Sequence, residues 1–83
     1  MSALLESVKD GGGGLAIVGN GAVTVPADSK VVAYTSFHDT ATVTTTGTNF
    51  VISGKVIPKG VTIFGRWDGL TGNNTDQGIA YFG

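Results

Sequence analysis

The chain has 83 residues, 14 of them glycine, with no cysteine, one histidine and a net charge of −1. That is room for a single domain, with no disulfide or thiolate metal site, no structural zinc site on a lone histidine, and no basic face of the kind nucleic acid requires. Charged residues make up 13% against an average near 25%. So small a domain buries only about 60–65% of its unfolded surface, and sister copies are the expected support, in a homo-oligomer.

Ser2 to Lys9 is the one candidate helix, with Ser2 as N-cap and Leu4, Leu5 and Val8 on one face. A helix this short needs something to dock on. It reads either as a simple terminal arm or as an assembly arm that packs on a neighbouring subunit. Asp10 to Gly14 carries four consecutive glycines, which end a helix and supply a link. They do not make a phosphate loop, because Leu15 stands where Lys-Ser or Lys-Thr belongs. Gly19-Asn20-Gly21 lacks the third glycine of the dinucleotide fingerprint. No cofactor is expected. The division is residues 1–14, arm and link, and 15–83, β domain.

Leu15–Val18 reads as a strand, Gly19-Asn20-Gly21 as a turn, and Ala22–Val25 as a second strand, broken at Pro26–Ser29. Lys30–Phe37 is a longer strand in which neither alternating face is strongly polar, so both are expected to be covered. His38-Asp39 is a turn. The threonine-rich run from Thr40 to Thr48 suits an exposed strand pair turning at Thr46-Gly47, since β-branching favours extended backbone while hydroxyls stay wet. Asn49–Ile52 is a further strand, and Ser53-Gly54 turns it.

Lys55 to Trp67 holds the densest apolar matter in the chain. Val56-Ile57 and Val61–Phe64 flank Pro58-Lys59-Gly60, a hairpin or tight corner with proline placed for the second turn position and glycine free to take positive φ. Asp68–Asp76 reads as a polar loop and Gln77–Gly83 as the last strand. Seven to eight short strands with frequent turn signals give an all-β fold: a small sandwich, jelly-roll-like domain or barrel.

Catalytic chemistry finds no support. Ser36, His38 and Asp39 have the letters of a triad, but near neighbours at one strand end cannot converge in its relay. Asp68, Asn73, Asn74 and Asp76 could offer oxygens to calcium, yet their spacing is not that of a calcium loop, so no metal site is assigned. The acids share no apolar setting that would split them into a general acid and a base. Arg66, Trp67 and Tyr81 could make a sugar-stacking platform, although a lone tryptophan in a small β domain is more often core. Val56, Ile57, Val61, Ile63, Phe64, Trp67 and Tyr81 are the expected core or inter-subunit contacts.

The run from Val56 to Phe82 reads Val-Ile-Pro-Lys-Gly-Val-Thr-Ile-Phe-Gly-Arg-Trp, then a polar loop, then Gly-Ile-Ala-Tyr-Phe. It resembles small β-rich virion structural proteins of tailed bacteriophages, and Thr24–Ala27 agrees more weakly. The resemblance implies a virion part: a capsid decoration (cement) protein, a homotrimer on the major capsid protein, or a tail or fibre component. A glycan-binding module is the alternative from another class. The apolar runs are far short of a membrane span, and the N-terminus has no signal-peptide pattern, so assembly in a bacterial cytoplasm is expected.

Overall fold

The computed structural model describes residues 14–48 and 50–83. The candidate helix, with Leu4, Leu5 and Val8, lies outside the described residues, as does the arm and link of residues 1–14 apart from Gly14, which is the first residue of a strand. The described chain is all-β. Its six strands are β1 (Gly14–Ala22), β2 (Val31–Ser36), β3 (Thr42–Thr46), β4 (Lys55–Val56), β5 (Thr62–Trp67) and β6 (Gly69–Phe82).

All six belong to one antiparallel sheet. β6 is its axis: β1 lies along one side, while β3 and β2 share the other side in succession. β4 extends the sheet beyond β3, and β5 beyond β2.

The pairings require the sheet to curl. β6 has fourteen residues, about 45 Å if straight. Phe82 at its end pairs with Val31, and Val31 pairs with Trp67, which puts Trp67 two strand spacings, about 10 Å, from Phe82. Gly69, the start of β6, follows Trp67 by two residues. The two ends of β6 therefore lie within about 17 Å of each other, and the strand doubles over. The fold falls where Val18 pairs with Gly78 but Asn20 pairs with Asn73, so that Gly19 alone opposes Asn74–Gln77. This is an enlarged β-bulge, and bulges bend strands. One half-sheet then holds the start of β1, the end of β6, β2 and β5. The other holds the end of β1, the start of β6, β3 and β4.

Between the halves lies the core: Val18, Val31, Tyr34, Val43, Ile52, Ile57, Trp67, Leu70, Ala80 and Phe82. Gly65 makes room for the indole. A Cβ there would stand 2.3 Å from Trp67 Cζ2, so the Gly-x-Trp spacing is a packing requirement.

Several local expectations give way to this topology. Gly19-Asn20-Gly21 is not a hairpin turn, because β1 runs through it beside β6. Thr42–Thr46 is a single strand, and the segment Phe50–Ile52 lies outside strand geometry. Asp68–Asp76 is a loop only in part. Gly69–Asn73 pairs with β3 and β1, while Asn74–Asp76, within the range of β6, is the unpaired bulge at its bend, with Asp76 at φ 51°. Of the two readings of Lys55–Phe64, hairpin or tight corner, the corner is the one present: β4 pairs with β3, and β5 with β2. In that corner Val61 N donates to Pro58 O at 3.0 Å, so proline opens the turn. Gly60, with φ 86°, occupies the third position.

Candidate assembly surface

Two apolar regions of the surface stand out. The first is the outer face of the half-sheet β1–β6–β2–β5. Residues directly opposite one another in a sheet share a face. Leu15, Tyr81, Ala33 and Phe64 form one cross-strand row, and Ile17, Ile79, Thr35 and Thr62 the next. No charge falls in either row. Leu15 is 51% exposed, Ile17 53% and Phe64 60%. The hydroxyls of Thr35 and Thr62 satisfy each other at 2.8 Å, which leaves this corner of the face without strong need of water.

The second region is the ribbon from Phe50 to Val56 alongside β3. Phe50, at 68% exposed, is the most exposed of the large apolar side chains described; Val51 and Val56 are about half exposed. The backbone beneath them is held firmly. Thr45 and Ile52 exchange two bonds: Thr45 N donates to Ile52 O at 2.7 Å, and Ile52 N to Thr45 Oγ1 at 2.8 Å. Gly54 N donates to Thr44 Oγ1 at 3.0 Å. Trp67 Nε1 donates to Phe50 O. The threonines that read as a wetted strand pair thus clamp the neighbouring segment, and an exposed phenylalanine sits on a fixed support.

Between the regions, the bend in β6 is closed by one fully buried side chain, Gln77. Its Oε1 accepts from Asn73 N at 2.7 Å and Asn74 N at 2.9 Å. Its Nε2 donates to Tyr34 Oη at 3.0 Å and Thr42 O at 2.9 Å. All four hydrogen-bonding positions of the amide are used. Asn73 Oδ1 in turn accepts from Thr42 N at 2.9 Å. Sequence reading passed over Gln77; its only local signal was a polar residue entering an apolar strand.

The residues singled out from sequence separate into distinct places. Trp67 is fully buried and Ile57 nearly so, while Ile63 packs against the core. Val56, Val61 and Phe64 are exposed. Tyr81 lies on the outer face, in the row of Leu15 and Phe64. Arg66, Trp67 and Tyr81 do not form a stacking platform, since the indole is sealed inside. Ser36, His38 and Asp39 make a turn: Ser36 Oγ donates to His38 O at 2.9 Å, and His38 Nδ1 accepts from Thr40 N and Ala41 N. Asp68 pairs with Lys30, whereas Asn73 is engaged at the bend. No cluster of three metal-binding side chains occurs among the described residues.

No protein-family model, curated protein or solved structure matches this chain.

Proposed function

We propose that this chain is a non-enzymatic assembly protein, a virion structural component that decorates a capsid as a homo-oligomer. The observation that carries the assembly reading is the ribbon at Phe50, Val51 and Val56. Apolar side chains on a backbone pinned by Thr44, Thr45 and Trp67 offer desolvation with little ordering cost, which favours association. The low charge of the chain supports the same reading. The virion assignment draws on the resemblance of Val56–Phe82 to phage structural proteins. On a repeating shell, many weak contacts of this kind sum to a large avidity.

The test is native mass across a dilution series, followed by co-sedimentation with capsids assembled without the chain. The expected results are a species of three times the 8.4 kDa chain mass and saturable binding to the shell. A monomer at all concentrations that ignores capsids would overturn the reading. Binding confined to tails would move the protein to a tail or fibre.

A further inference from the structure

We propose that the open edge of β1 pairs, antiparallel, with β1 of a second copy across a two-fold axis, so that two half-sheets join into one. This goes beyond the assembly reading and does not rest on it, because it uses neither the ribbon nor any feature of a capsid.

Among the described residues, three strands have one edge without a neighbour: β1, β4 and β5. An open edge offers unpaired N–H and C=O groups to any other strand, and proteins ordinarily blunt it by shortness, charge, proline or a bulge. β4 has two residues, one of them Lys55. β5 carries Arg66, and its pairing with β2 contains a register shift. β1 has nine residues, Gly-Leu-Ala-Ile-Val-Gly-Asn-Gly-Ala, with no charge and no proline. From Gly14 to Val18 it runs beside β6 in unbroken register. The longest of the open edges is the least protected.

The ladder fixes which backbone groups point outward. Phe37 N donates to Gln77 O at 2.8 Å, and in an antiparallel pair the bonded positions alternate. The same register directs Ile79 and Tyr81 toward β2. Gly78, Ala80 and Phe82 are then directed toward β1, where they meet Val18, Ala16 and Gly14. Leu15 and Ile17 therefore present their N–H and C=O groups at the open edge, and their side chains are half exposed as well. The edge, not the whole outer face, is the surface, since Ala33 in the row of Leu15 is already buried.

A second β1 fits this edge. About a two-fold at Ala16, Leu15 of each copy lies opposite Ile17 of the other. Both are bonded pairs, so the groups left over at one edge satisfy those of the other, and apolar side chains meet across the junction. A strand without charge faces itself with no like-charge pair, and such self-complementarity is what an isologous contact requires. β5 of a second copy would bring Arg66, and β4 only two residues. The contact is small beside the roughly 1,600 Å² of a standard interface. The pairing is accordingly weak, and counts at high concentration or between copies already held close.

The chain has no cysteine, so a single introduced thiol reports the pairing. A16C sets two thiols across the axis at a non-bonded pair, with Cα atoms about 4.5 Å apart, within disulfide range. T24C is the control, since Thr24 is more exposed than Ala16 but lies beyond β1. At equal, high concentration of the full-length chain, mild oxidation is expected to convert A16C to a disulfide dimer at least tenfold faster than T24C. Adding L15K/I17K, which sets lysine against lysine in this register, should slow A16C at least tenfold. Equal rates for A16C and T24C, or a rate that the lysines leave unchanged, would overturn the proposal. The fast rate should persist in the F50S/V56S chain, which lacks the ribbon contact; its loss there would also overturn the proposal, whereas failure of capsid binding would not. A second readout avoids cysteine. In sedimentation velocity the mass of F50S/V56S should rise with concentration, and L15K/I17K should abolish the rise. A mass that stays constant without the lysines would count against edge pairing.

Discussion

Gln77 Nε2 donates to the hydroxyl of Tyr34 at 3.0 Å, across 43 positions of sequence. That bond joins the bend of the central strand to the middle of β2. The same amide holds Asn73, Asn74 and Thr42, so one side chain neutralises the backbone groups that a bulge of this size would otherwise leave unpaired inside the protein.

Replacing Gln77 with Leu is therefore expected to cost about 3–5 kcal/mol, because several buried partners lose their bonds together and each orphan costs about 1–3 kcal/mol. Tyr34→Phe should cost only about 1 kcal/mol, since Nε2 retains Thr42 O. Urea unfolding of both variants measures the difference. Equal losses would show that the amide acts through packing alone.

Trp67→Ala should cost about 3–5 kcal/mol as a large buried truncation, a substantial share of the 5–15 kcal/mol a domain holds. Trp67→Phe should cost less, though it leaves Phe50 O without its donor. The indole of the parent should resist quenching by acrylamide equally at high and low protein concentration, since it is sealed within one chain. Quenching that grows on dilution would place it at a subunit contact instead.

The glycines of the bend differ sharply in what a methyl group would meet. A Cβ at Gly72 would stand 2.4 Å from Gly19 O, and one at Gly78 2.4 Å from Thr35 O, both backbone atoms that cannot move aside. Gly72→Ala and Gly78→Ala should each lose about 1–3 kcal/mol to overpacking. Gly19→Ala, with nothing within 4 Å, should be within about 0.5 kcal/mol of the parent. Thermal or denaturant midpoints of the three variants test the ranking.

Phe50→Ser combined with Val56→Ser should leave folding stability within about 0.5–1 kcal/mol, because both side chains are exposed. Self-association or capsid binding should fall at least tenfold, as measured by sedimentation velocity and co-sedimentation. A variant that assembles as well as the parent would remove the ribbon from the interface.

Much of the architecture was legible one residue at a time. β-branched runs, glycine punctuation and the lack of amphipathic helix after residue 14 specify an all-β chain, because extended backbone and turn chemistry are local preferences. The lone tryptophan was legible as core for the same kind of reason: nothing else in the chain offers comparable apolar volume. The proline corner was legible as a turn, although which position proline takes depended on the bond from Val61.

What the tertiary structure alone decided concerns partners far apart in sequence. Asp68–Asp76 has the composition of a loop, yet Gly69–Asn73 is paired strand, because β1 and β3 flank it, and Gln77 closes the bend formed by Asn74–Asp76. Val61 and Phe64 read as core or inter-subunit contacts, and it is the fold that leaves both exposed on the single chain. Hydrophobicity states what a side chain prefers. Register, fixed by hydrogen bonds to distant strands, determines which of those preferences one chain can satisfy.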